Sequence, residues 1–287
     1  MHVRVLGGIV LIGASVTLAA CGSSGSSSTS GSTTATNLAA CTPSALKTHT
    51  AGQLTVGTDQ PAYPPYFVNN TPANGQGFES AVAYAVAKEL GYPASAVKWT
   101  AVPFDSSYTP GPKSFDADIN EISVTPARLK AVDFSSPYYT APQAVIVKKG
   151  SKYATGTNLA GLKDATLGVQ IGTTSLSAVN DLIKPANQPK VFNTSNDVVN
   201  ALKDGLVDGI VTDLPTAFYI TSAQLPNTVI SGQFAAPGGD TWGLLLQKNS
   251  PLTTCVSAAV NTLRANGQLQ QLTEKWMGTS AGAPKLN

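Results

Sequence analysis

Apolar and polar positions between residues 52 and 280 alternate in two rhythms, and their order predicts the architecture. Residues 52–59, GQLTVGTD, read as a strand that ends in polar groups. In 77–91, GFESAVAYAVAKELG, the residues Phe78, Val82, Val86 and Leu90 recur on one helical stripe, and Gly91 marks its stop. AVKWTAV (96–102) is a second strand, and FDADINEISV (115–124) a third after an excursion rich in Pro, Gly and Ser. Thr125 then suits an N-cap and Pro126 the first position of a helix.

A similar order returns. ATLGVQIG (165–172) is strand-like, TTSLSAVNDLI (173–183) a capped helix, PKVFN (189–193) a short strand, SNDVVNALKDG (195–205) a helix stopped by Gly205, and LVDGIVTD (206–213) a strand. FDADINEISVTPA and LVDGIVTDLPTA both run from an Asp through Ile and polar residues to a Pro that opens a helix, so the chain reads as two similar lobes. Alternating strands and helices argue for α/β construction with largely parallel sheets.

Two apolar, Pro-punctuated stretches, 135–150 and 234–248, read as extended strands crossing between the lobes, which implies a hinge. Two helices close the chain, one from Ser250 as cap to Gly267 as stop and one carrying Leu269, Leu272 and Trp276. The expected division is therefore a discontinuous lobe 1 (41–141 and 242–287) and a lobe 2 with hinge segments (142–241).

Composition adds the compartment. Arg4, an uncharged apolar run and small residues before Cys21 form a signal peptide over 1–20, too short an apolar run to span a bilayer. Its end, Leu18-Ala19-Ala20-Cys21, resembles a bacterial lipobox, with Cys21 the lipidated first residue of the mature chain. Residues 21–40 then form a tether rich in Gly, Ser and Thr, reaching roughly 25 Å on average. Cys41 and Cys255 remain, an even pair in an oxidising compartment, expected to be bonded. Charged residues are only 12% of the chain and the net charge is +2, which excludes a nucleic-acid footprint. After signal removal His49 is the sole histidine, poor material for a Ser-His-Asp triad or a zinc site, so no metal or cofactor is expected.

Candidate chemistry gathers where α/β sheets bind ligands, beyond the carboxyl ends of their strands. Arg128, in the first turn of its helix, meets an unfavourable macrodipole: it is either a solvated surface residue or the partner of an anion. The Gly172–Ser175 turn opens another helix and presents free N–H groups, including those near Thr173, to the same anion. Asp213 closes a strand, as a helix cap or as an ammonium ligand. Tyr63, Tyr66 and Phe67 are loop packing or walls that dehydrate a guest.

LTVGTD…PPY, GFE with its helix, FDADINEISVTPARLKAVDFSSPYY, LGVQIGTT, ALKDGLVDGIVTD and LRANGQLQQLTEKWMG occur in one order across 50–280. Together they resemble the amino-acid-binding family of bacterial periplasmic-type solute-binding proteins, receptors of polar amino-acid ABC importers. The resemblance implies a two-lobed α/β fold with a two-strand hinge and a ligand cleft between the lobes. It makes Arg128 the α-carboxylate ligand, Ser123 its hydroxyl partner and Thr174 its backbone partner from the other lobe. Asp213 becomes the α-ammonium ligand, helped by Glu121, while Asp59 and Tyr63 line the side-chain end. The chain departs from the family at Glu121, where a small residue is usual, at Glu79, where Asp is common, and in the loop 104–114. The implied function is a monomeric, non-enzymatic lipoprotein that captures a free amino acid and delivers it to an ABC permease. The alternatives are a dehydratase-type enzyme using Glu121 as general acid or base, and an amino-acid sensor.

Overall fold

The computed structural model describes residues 38–155, 158–236, 239–278 and 283–286. The signal peptide, Cys21 and most of the tether fall outside them.

In chain order the elements are β1 (Leu54–Thr58), α1 (Phe78–Glu89), β2 (Val97–Ala101), α2 (Phe104–Ser107), β3 (Ala117–Asp118), β4 (Val132–Phe134), β5 (Tyr139–Thr140) and β6 (Gln143–Lys148). They continue as β7 (Leu167–Gln170), α3 (Thr174–Ala178), β8 (Lys190–Phe192), α4 (Ser195–Lys203), β9 (Gly209–Asp213), α5 (Leu214–Tyr219), β10 (Thr228–Phe234), β11 (Thr241–Trp242), β12 (Leu245–Gln247), α6 (Thr253–Ala265) and α7 (Gln268–Met277).

Two five-stranded sheets result, ordered β2-β1-β3-β12-β4 and β10-β6-β9-β7-β8. Their first-half strands are parallel, β1 with β2 and β3, and β7 with β8 and β9. The strands that carry the chain across, β6, β10 and β12, pair antiparallel, so the sheets are mixed and not largely parallel. Where the chain passes between sheets, β5 and β11 pair antiparallel as the two hinge strands.

The lobe 1 core lies under α1, α6 and α7. Phe78, Val82, Val86 and Leu90 are all at most 1% exposed, and Gly91 holds a left-handed turn after them. Each such side chain contributes about 1.5–3 kcal/mol of burial. A disulfide joins Cys41 to Cys255 of α6, as the cysteine count predicts. In lobe 2 the apolar run of β6 divides by alternation: Val145 and Val147 enter one core cluster, Ala144 and Ile146 another. That sheet is covered on both faces.

Several local expectations need correction. The third strand narrows to Ala117–Asp118. Thr125 does cap, its Oγ1 accepting the Arg128 N–H at 3.2 Å, but only a single tight turn, Arg128–Lys130, follows. The helix at Thr174 widens into a π-type turn over Val179–Ile183, and the last helix pair starts at Thr253 rather than just after Ser250. The tail belongs to the other lobe: Leu286 packs into the lobe 2 core, and Lys285 bridges to Gln233 of β10.

Candidate functional site

A cavity of about 630 Å³ lies between the lobes, within the range of small-molecule sites. Asp59, Tyr63, Glu121, Ser123, Arg128, Thr173, Thr174 and Asp213, all picked out from sequence, line it. The first five come from lobe 1 and the last three from lobe 2.

Arg128 is 8% exposed and is no solvated surface residue. Its Nη1 donates to the Ser123 carbonyl at 2.8 Å, and its Nη2 to the Gly172 carbonyl of the opposite lobe at 3.0 Å. The guanidinium lies 4.5 Å from the Tyr108 ring centroid and 5.4 Å from that of Phe104. These rings, at the start of α2 and just past its end, hold the fork from behind by cation–π attraction. A guanidinium has five N–H donors, so donors remain after both carbonyls are served. Burial lowers the Arg128 pKa, partly offset by Tyr108 and the carboxyls of Asp240 and Asp213.

Thr173 occupies the N-cap of α3; its Oγ1 accepts the Leu176 N–H at 3.2 Å and donates to the Gln170 carbonyl at 2.8 Å. Its hydroxyl is thereby committed to the turn. The N–H groups that open α3 point from the helix start with no acceptor one turn back. Thr174 Oγ1 lies 3.4 Å from Ser123 Oγ across the lobes. Gly172, just before, holds φ +71°, a conformation suited to glycine.

Asp213 stands at the N-cap position of α5, yet its side chain caps nothing. The register of β6 on β9 sets Gln143 beside it, and Gln143 Nε2 donates to Asp213 Oδ1 at 2.6 Å. The same Nε2 donates to buried Asp240, while Gln143 Oε1 accepts the Ser175 hydroxyl at 2.6 Å. Burial, then the nearby Asp240 carboxylate, push the Asp213 pKa well up, against the Gln143 hydrogen bond and Arg128. An incoming cation would relieve that electrostatic cost.

All three loop aromatics, Tyr63, Tyr66 and Phe67, line the cavity. Tyr66 and Phe67 are nonetheless core residues, 2% and 1% exposed. Tyr66 also bridges the lobes, its hydroxyl 2.8 Å from Thr216 Oγ1. Tyr63 stacks at a tilt 6.3 Å from Tyr219 of lobe 2.

Gln143, Asp240, Phe104 and Tyr108 were not singled out by sequence reasoning. A lone Gln in the otherwise apolar run APQAVIV was a signal for the first, and the i, i+4 spacing of Phe104 and Tyr108 for the rings. Nothing in the sequence marked Asp240.

Charge in the cavity is one-sided. Among the described residues, Asp59, Asp105, Glu121 and Asp213 line it against the one cation Arg128. Burial raises the pKa of Asp59, opposed by N–H donation from Gln60 and Phe104. One guanidinium and one facing carboxyl suit the two ends of an amino acid, and the further carboxyls suit an added positive charge. Among the described residues no helix is long and apolar enough to cross a membrane.

Residues 54–279 match the family model for bacterial extracellular solute-binding proteins, family 3. The chain is 29% identical to the arginine-binding periplasmic protein of Mannheimia haemolytica, over 76% of this chain and 89% of that one. It is 30% identical to the arginine-binding extracellular protein ArtP of Bacillus subtilis, over 93% and 96%. Among solved structures, the arginine-, lysine-, histidine-binding protein ArtJ of Geobacillus stearothermophilus superposes with a TM-score of 0.67 at 28% identity, covering 82% of this chain and 97% of that one. Motifs, two-lobed fold and cleft agree with this match, and the chain belongs to the family 3 bacterial extracellular solute-binding proteins.

Proposed function

We propose that this protein is the receptor of a polar amino-acid ABC importer, and that it captures a free amino acid with a cationic side chain. Arg128 and the N–H groups opening α3 hold the α-carboxylate from opposite lobes, with the Ser123 hydroxyl beside them. Asp213 takes the α-ammonium, and Asp59, Tyr63 and Glu121 receive the side chain. The observation that carries the reading is that Arg128 of one lobe and Asp213 of the other line one cavity, whose further charged lining groups among the described residues are the carboxyls of Asp59, Asp105 and Glu121. Named arginine binders among the relatives support the same ligand class.

Closure follows from differential contact. A ligand bonded to both lobes at once has greater affinity for the closed form and shifts the population toward it. The monomer, tethered through a lipid on Cys21, then presents the closed form to a membrane permease.

A thermal-shift screen against the twenty amino acids tests the ligand class. At a ligand concentration one hundred times Kd, linkage adds about 2.7 kcal/mol, a rise in melting temperature of roughly 5–10 °C for a domain of this size. Arginine and lysine are expected to give such shifts, glutamate and aspartate none. The reverse order would overturn the assignment.

The seam offers a second test. A Cβ at Gly172 would stand 2.1 Å from the Tyr108 hydroxyl, and φ there is +71°. Gly172→Ala strains its own backbone and displaces the ring that supports Arg128. The strained backbone lowers stability, and loss of the Tyr108 ring from Arg128, worth about 0.5–2 kcal/mol, is expected to weaken arginine binding roughly two- to thirtyfold. Calorimetry reads the change.

A further inference from the structure

Buried Glu79 and half-buried Glu121, on the cavity wall, form a pair that the proposed receptor function leaves only partly used. Glu79 is 0% exposed in the first turn of α1. Its Oε1 accepts the Glu121 N–H at 2.6 Å and also the Tyr138 hydroxyl. Glu121 holds φ +48°, left-handed backbone that a residue with a Cβ adopts only when its surroundings impose it. The bond to Glu79 supplies that constraint. It sets the two acids side by side, with Glu121 on the cavity wall and Glu79 behind it, its Oε2 buried without a hydrogen-bond partner.

Two neighbouring carboxylates, one of them fully buried, ionise together only at an electrostatic cost. The titratable neighbours sharpen the conflict. Asp59 and Asp213 face Glu121, Asp118 faces Glu79, and Tyr66 and Tyr138 pack against the same acids. Lys113 acts on Asp118, and Arg128 on Asp213. Burial, followed by the Glu79 charge, drives the Glu121 pKa well up, while burial lifts Glu79 to about 7.

We propose that Glu79 and Glu121 share one proton in the ligand-free protein, and that the cation on the ligand's side chain takes its place. In that exchange the carboxylic O–H bond breaks, the proton passes to solvent, and the carboxylate left behind pairs with the incoming guanidinium or ammonium. The inference rests on the cleft being a site for cationic amino acids. It makes the pair a specificity device: a neutral side chain would have to leave the proton where it is.

Calorimetry with L-arginine at pH 6, in two buffers of different ionisation heat, counts the protons. About one proton is expected to leave per arginine bound. Affinity should accordingly rise with pH, by up to about tenfold per unit below pH 7. Glu79→Gln keeps an oxygen for the Glu121 N–H and Tyr138 but removes the like charge, and should lose at least half of the release. L-Glutamine should bind without release or not at all. Arginine binding with equal heats in both buffers would overturn the pair while leaving the receptor function standing, as would equal release with glutamine, which would assign the proton to the α-ammonium. Failure of every amino acid to bind would defeat the receptor reading itself and the inference with it.

Discussion

Replacing Arg128 by alanine is expected to abolish measurable amino-acid binding while the protein still folds. The side chain is 8% exposed and donates to carbonyls of both lobes. Its loss would leave a ligand carboxylate facing Ser123 and the start of α3 with no cation. Truncating one member of a buried, hydrogen-bonded charge pair costs about 2–5 kcal/mol or more, roughly thirty- to several-thousand-fold in Kd. The fold loses less, because Ser123 lines the cavity and Gly172 is exposed, so water can replace the lost donors. Arg128→Lys should recover little, since an ammonium lacks the planar fork and its fit between the Phe104 and Tyr108 rings. Calorimetry with L-arginine and a melt of the free protein separate the two effects. Wild-type affinity in the alanine variant would contradict the assigned role.

The second large effect concerns stability. Cys41 and Cys255 are 214 residues apart in sequence, and their bond closes a loop spanning both lobes. On the chain-entropy model such a link contributes about 5 kcal/mol by restricting the unfolded chain. Replacing both cysteines by serine is expected to lower the melting temperature by roughly 10–20 °C. Binding should be nearly unchanged in the molecules that remain folded, because neither the segment around Cys41 nor α6 contributes to the cavity wall. A drop of under a few degrees, or a large loss of affinity with the fold intact, would refute this account.

Much of the fold was legible in the sequence because it depends on local rules. The stripe Phe78, Val82, Val86, Leu90 specifies a buried helical face wherever it occurs, and it is buried here. Thr173 caps its helix as the capped segment TTSLSAVNDLI suggests. Elements whose length depends on neighbours were less legible. FDADINEISV has the composition of a long strand, but its ladder is limited to Ala117 and Asp118 against β1, and only Asp118 also pairs with β12. The turn at Arg128 carries a sound cap and a Pro, yet it ends after Lys130, where Val132 begins to pair with β12.

Candidate ligand groups were also legible singly. Arg128 stood out because its local position was unfavourable, and Asp213 because it ended a strand. Whether Asp213 capped α5 or faced a ligand was open in the sequence; in the fold, the β6–β9 register gives its carboxyl to Gln143. Asp240 and Tyr66 gain their roles only through partners far along the chain, Gln143 and Thr216.

The sequence by itself determined the two-lobed α/β plan, the cysteine pair and the polar residues at strand ends, because periodicity, capping and composition act over a few residues. Only the tertiary structure decided which of those polar groups share one cavity, and that Glu121 meets Glu79 at its wall. Such proximity comes from strand register and lobe packing, and the energy of a buried charge depends on what faces it more than on the residue itself.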